Sequence, residues 1–428
     1  MSTAAPITDQ PKLAPLTMGE VLRIPLMRRL WYAQIVSVFG DFLALFAVII
    51  VMTFNRHATA QQITGVQIAY MLPIAVLGVL SGVFVDRWPV KPTLVSSDLI
   101  RAVLCLGLFF VHNVWGFYIV LAAISVVSSF FSPAQGVALR SAVPHHGLGS
   151  SQALMQQVMM GMRIVGGPIA TGLVSALGPR FCYGIDSISF IASATLIATL
   201  AISLPIPAKA AHPTSAVNEE LTGLRRIGSD MKQGISFIVH HAAIFFVIMS
   251  LAAGMFVLGC FGPLIAVYVR DNLHGSKGTF GLTSPMIPLG MVLGMNLIVK
   301  LSKSRKAATL VYYGLGGIGV GTLLLALFPH LSATIPGLFI IGFSAAAIIV
   351  PAQTLIAQET PPAMMGRVGS TVMSAVFSAQ ILGLILSGVL TEHISVRGVF
   401  ALCTAMLVIL TIIGKLWMEP DHHATPAA

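Results

Sequence analysis

The chain has 428 residues, 56% of them hydrophobic and only 9% charged, where a soluble globular chain carries about 25% charged residues. A mean hydropathy of +0.91 places most of the chain in lipid and leaves no room for a separate soluble domain. The net charge of +10 is read as the basic loops that flank membrane spans rather than as a nucleic-acid interface.

Residues 1–29 are polar, hold four prolines and have no apolar core, so they form a cytosolic tail and not a signal peptide. Apolar runs long enough to span then begin near Leu30, Thr64, Thr93, Trp115, Ser151 and Phe181, giving a six-helix bundle over 30–204. A polar linker follows at 205–241. It is rich in Pro, Ala and Ser at first and then amphipathic, with Leu221, Leu224, Ile227, Met231, Ile235 and Ile238 at helical spacing. Six more runs begin near Ala242, Thr279, Ala307, Leu331, Val368 and Val396, a second bundle over 242–417, and residues 418–428 form a short tail. Each run reads as helix, because lipid offers no partner to an unpaired backbone group. Cys105, Cys182, Cys260 and Cys403 all fall inside apolar runs as small buried hydrophobes, silent about redox compartment.

Orientation follows from lysine and arginine. With the N-terminus inside, eighteen of the 24 lie on the cytosolic side, five (Arg56, Arg180, Arg270, Lys277, Arg397) lie opposite, and Arg163 is left in the membrane. Both termini are therefore expected in the cytosol of a multi-pass plasma (inner) membrane protein. The halves are alike: SPAQGVALRSAVP (Ser132 to Pro144) and VPAQTLIAQETPP (Val350 to Pro362) each close the fourth span of their half. The fold class is an all-α membrane protein of twelve helices in two six-helix bundles related by pseudo-two-fold symmetry.

Between the second and third spans stand Gly82, Asp86, Arg87, Lys91 and Leu94. This loop resembles the signature G-x-L-A-D-R-x-G-R-K-x-x-L of the major facilitator superfamily, from which Phe84, Val85, Pro89 and Val90 depart. Asp86 at a helix end suits a gate that docks on the positive N-terminus of a neighbouring helix. The resemblance places that N-terminus around Gly366 to Gly369, beside Arg367. Asp98 and Arg101, three apart on one helix face, can pair with each other or brace Asp86.

In the fifth span, Gly166, Gly167, Pro168 and Gly172 resemble the hinge motif of the superfamily's exporters, with Arg163 in place of its first small residue. The glycines permit close helix contact, and the proline frees a carbonyl. Stretches in spans 1, 3, 4 and 6 are similar to the branch that holds the exporters of macrolides and of the siderophore enterobactin.

Asp41 and Arg163 sit at similar depths in spans 1 and 5, so they can meet, and each is costly in lipid if unpaired. Asp41 is the candidate proton carrier with Arg163 as its partner, or the two form a static ion pair. Asp186, a few residues into span 6, reads as interfacial. Gln34, Gln67, Tyr70, Ser132, Gln135, Gln157, Asn296, Gln353 and Gln380 are cavity candidates, each equally suited to an interhelical hydrogen bond. Adjacent histidines at 145–146, 240–241 and 422–423 do not make a metal site by themselves. No phosphate-cradling loop or nucleophile elbow is present.

The expected function is secondary active export of small amphipathic molecules, drug-like or siderophore-like, by proton antiport and alternating access. The expected partners are the solute, protons and the bilayer, with no cofactor and a monomeric state. The alternatives are a nutrient or metallophore importer of the same fold, or a non-transporting receptor.

Overall fold

The computed structural model describes residues 14–85, 88–200, 235–236, 238–239, 241–302, 304–361 and 364–418. Residues 201–234, which hold most of the linker including Leu221, Leu224, Ile227 and Met231, and the acid of the loop, Asp86, with its neighbour Arg87, lie outside them.

A short helix, α1 (Met18–Arg23), opens the described chain. The Thr17 hydroxyl accepts from the Glu20 N–H, and the Glu20 carboxylate accepts from the Thr17 N–H and hydroxyl. These two bonds hold the Glu20 carboxyl below the usual carboxylate range. The Leu16 N–H donates to the His146 carbonyl (3.1 Å), and the Ser150 hydroxyl donates to the Leu16 carbonyl (2.5 Å), so α1 is pinned to the connection after the fourth span.

The first bundle consists of α2 (Pro25–Ile50), α3 (Ala60–Val85), α4 (Val90–Gly107), α5 (Val114–Ala142), α6 (Leu148–Leu177) and α7 (Pro179–Ala198). The second comprises α8 (Ala242–Asp271), the short α9 (Lys277–Thr283), α10 (Met286–Leu301), α11 (Ala307–Leu327), α12 (Leu331–Glu359) and α13 (Met365–Met418). Eleven helices among the described residues are long and apolar enough to span. The last has 54 residues, about 80 Å at 1.5 Å per residue, more than twice a hydrocarbon core. It breaks at Ser395, whose φ of 65° lies in the left-handed region, and so supplies two spans. The chain is a twelve-span, all-α membrane protein.

Two spans depart most from the sequence reading. The first begins at Pro25 and not at Leu30, because proline at the first helical position is preset for a helix start. The eighth is two helices, α9 and α10, interrupted at Ser284–Pro285, where proline cannot donate to the helix ladder.

In the first bundle α2 packs on α6 and α7, α3 on α5, and α4 on α5 and α7. In the second, α8 packs on α13 and α12, and α10 and α11 pack on α12. The halves meet where α3 touches α8 and α13, and where α6 touches α9 and α10. Pro133 in α5 and Pro351 in α12 lie at nearly the same depth of two 29-residue helices, as the repeated Pro-Ala-Gln implies. We call the end of the molecule bearing Pro25 the basic face and the other the opposite face.

Small residues set the closest helix approaches. A Cβ on Gly342 of α12 would run into the Ile287 carbonyl, and one on Gly290 of α10 into the Phe339 carbonyl. Gly316 on α11 has nothing within 4 Å. Gly342→Ala is therefore expected to cost about 1–3 kcal/mol by overpacking, whereas Gly316→Ala costs nothing. Thermal unfolding of the two purified variants in detergent checks this; equal melting temperatures would refute the packing assignment.

Candidate functional site: a buried charge cluster and an arginine between the halves

The polar side chains inside the first bundle gather in two places. At the first, α2 and α7 touch through Gly40, where a Cβ would strike the Ser189 hydroxyl and the Asp186 carboxylate. That approach carries Asp41 to the neighbouring α4. Arg101 Nη1 lies 3.7 Å from Asp41 Oδ2, and Arg101 Nη2 donates to Asp98 Oδ1 one turn earlier on its own helix. The guanidinium is held between the rings of Phe131 on α5 and Phe190 on α7, 4.4 and 4.3 Å from their centroids. Asp186 accepts from the Cys105 thiol at 2.9 Å, and Ser189 on the same helix donates to the Asp186 backbone carbonyl at 2.8 Å. Asp98, Arg101 and Asp186 are 3% exposed or less, while the Asp41 side chain keeps 15%. Within this cluster Asp41 is the member with access from outside.

Three expectations change here. Asp41 meets Arg101, not Arg163. Direction around the helix decides contact, and Asp41 is turned toward α4 and α7; Arg101, read from the sequence as opening the third span on the cytosolic side where it could brace Asp86, is instead buried beside Asp41. Asp186, read from the sequence as interfacial, is buried inside the bundle. A polar stripe of Asp186, Ser189 and Ser193 on one face of α7 was the available signal.

At the second place, Gly166 of α6 packs on Phe42 and Phe46 of α2, and Gly167 packs on Ser284 of the second bundle. Arg163 is one turn nearer the basic face on the same side of α6, so it points between the halves. It is exposed, lies within electrostatic reach of Tyr70 on α3, and forms no ion pair among the described residues. Pro168 is inside α6, and Gly172 faces open space.

The other candidates are dispersed. Gln135 donates to Gln34 across α5 and α2 at 2.5 Å, an interhelical hydrogen bond. Gln67 packs on Gly262 of the second bundle. Gln157 reaches Met18 of α1, and Asn296 donates to Val292 of its own helix. Ser132 and Gln353 are exposed, and Gln380 is half-buried, with its backbone carbonyl against Gly259. Gly82 is in the last turns of α3. Lys91 donates to the Leu200 carbonyl (2.8 Å) and Arg29 to that of Thr199 (3.2 Å), two cations at the negative C-terminal end of α7. Arg367 lies in the first turn of α13.

Contacts between the halves gather toward the opposite face. Phe280 of α9 packs on Phe46 and Phe54, Gly281 on Thr171, and Gly388 on Thr64. Arg270 donates to the Thr53 and Ala58 carbonyls at 3.0 and 2.7 Å.

The sequence profile of the Major Facilitator Superfamily matches residues 30–384 and 339–428. The chain belongs to that superfamily, whose members are transporters and not enzymes. It is 25% identical to the MFS-type transporter YfiS of Bacillus subtilis, over 91% of this chain and 93% of that one. It is 24% identical to macrolide efflux protein A of Streptococcus pyogenes, over 91% and 95%. Among solved structures it shares its fold with the nucleoside transporter NupG (TM-score 0.68, 14% identity, 92% of this chain and 99% of that one). It also shares it with a bacterial homologue of the human lysosomal transporter Spinster in an inward-facing, unoccupied conformation (TM-score 0.69, 12% identity, 92% and 97%).

The cluster predicts different costs for the transporter's two intramembrane arginines. Arg101→Met leaves Asp98 buried without its partner and is expected to lose about 3–5 kcal/mol, with Arg101→Lys in between because it restores charge but not the planar stack. Arg163→Gln is expected to stay within about 0.5 kcal/mol. Unfolding in mixed micelles measures both, and a larger loss at residue 163 than at 101 would reverse the assignment.

Proposed function

We propose that this transporter exports small amphipathic solutes in exchange for protons, by alternating access, with its basic face in the cytosol. One observation carries the proposal: a cluster of three carboxyl groups around a single guanidinium, dry except at Asp41. Such an arrangement can exchange a proton at Asp41 while Arg101 shifts between Asp41 and Asp98, with little movement of the surrounding helices.

The coupling has a mechanical route. Arg101 is on α4, which begins inside the signature loop, so a change at Asp41 reaches the loop through one rigid helix. In this reading the signature loop closes the cytosolic side against the start of α13 near Arg367, while Lys91 anchors the loop to the end of α7. The Gly166–Gly167–Pro168 segment and Gly172 let α6 bend as the opposite face opens. Export rather than import is favoured by that hinge and by the full-length similarity to macrolide efflux protein A.

In inverted vesicles with an acidified lumen, Asp41→Asn is expected to abolish proton-driven solute accumulation and Asp41→Glu to retain part of it. Full accumulation by the Asn variant would end the coupling role. A second measurement addresses alternating access. The Cβ that a side chain at 388 would carry lies 3.0 Å from the Thr64 Cβ, within a few tenths of an ångström of disulfide reach. The variant carrying Thr64→Cys and Gly388→Cys should cross-link on oxidation, stop transport, and recover on reduction; undiminished flux in the cross-linked protein would exclude movement at this contact.

A further inference from the structure

Arg163 has no internal counter-charge among the described residues. Asp41 and Asp98 are engaged by Arg101, and Asp186 by Cys105 and Ser189. An unpaired arginine at mid-membrane costs about 2.5–3.5 kcal/mol unless it faces water or an anion. Arg163 is exposed, and its direction is set by its neighbours one turn on, with Gly166 against α2 and Gly167 against Ser284 of the other half. It therefore looks into the cleft between the halves.

The surroundings suit an amphipath. Toward the opposite face the cleft ends in the aromatic side chains Phe42, Phe46 and Phe280. Tyr70 stands on α3, one turn from the Gln67 that packs on the second bundle, and lies within electrostatic reach of the guanidinium. Toward the basic face, the same side of α6 presents half-buried Met159 and exposed Gln156. Methionine adapts to apolar bodies of varied shape.

We infer that Arg163 and Tyr70 form the recognition point for an anionic amphipath, an apolar ring system bearing a carboxylate, sulfonate or phenolate. The planar guanidinium gives two parallel donors to such a group, the Tyr70 hydroxyl a third, and the low dielectric strengthens all of them. A cationic amphipath meets like charge at the same point. This deepens the export reading and rests on the cleft being the solute site. It also has an electrical consequence: a monoanion leaving while a proton enters moves positive charge inward, the direction that an inside-negative potential drives.

The test is equilibrium binding to the purified full-length protein, read as ligand-dependent thermal shift with three probes that share one ring system: naphthoate, naphthalenesulfonate and naphthylmethylammonium. The two anions are expected to bind at least about tenfold more tightly than the cation. Arg163→Gln should remove that preference without changing the unliganded melting temperature, Arg163→Lys should keep most of it, and Tyr70→Phe should weaken the anions by about threefold. Wild-type protein that binds none of the probes, or favours the cation, overturns the inference, as does an Arg163→Gln variant that keeps the preference. Binding needs no flux, so a protein that holds naphthoate but does not move it outward would sink the export reading and leave this assignment standing.

Discussion

One guanidinium organises the first bundle. Arg101 is anchored on α4, paired with Asp41 of α2 and stacked between rings of α5 and α7, so four of six helices meet on it. A charge taken out of water must recover its hydration from partners. Arginine does so here because its group is flat: two faces take aromatic rings while the edge takes two carboxylates. A lysine offers no face to stack. The same cluster explains Gly40, since a side chain there would hold α7 away and break the reach to Asp41.

This engagement decides what the second arginine is for. With Asp41 held by Arg101, Arg163 is left on the wall between the halves, facing a cleft and a tyrosine. In the proposed mechanism the two arginines divide the work: Arg101, in the interior, responds to the protonation state of its carboxylates, whereas Arg163 meets the solute. Asp41 is the member of the buried cluster that retains exposure.

The second bundle is built on different physics. Among its described residues no ion pair lies within the membrane. Its close contacts include backbone on backbone, Gly342 on Ile287 and Gly290 on Phe339, and the Cys260 thiol donating to the Gly383 carbonyl at 3.2 Å. The seal toward the opposite face is of the same kind, with small residues, three aromatic rings and one arginine on backbone carbonyls. Packing of small and aromatic side chains parts without breaking an ion pair between the halves, which suits the proposed alternating access.

The twelve spans and the duplication were legible in the sequence, because lipid imposes a one-dimensional rule: about 20 apolar residues for each crossing, and helix wherever backbone meets hydrocarbon. The level of Asp41 and Arg163 was read from their place in a run at about 1.5 Å per residue. Direction around each helix did not follow. In a span that is apolar on all sides, no periodicity tells the lipid face from the packed face. So Asp41 and Arg163 looked like partners because they share a level, and Asp186 looked interfacial because it lies near a helix start. Only packing turned Asp41 toward α4, sank Asp186 beside Cys105, and left Arg163 facing the cleft. Length and hydropathy are summed along the chain, whereas an ion pair depends on the azimuth of two helices at once, which only the tertiary structure supplies.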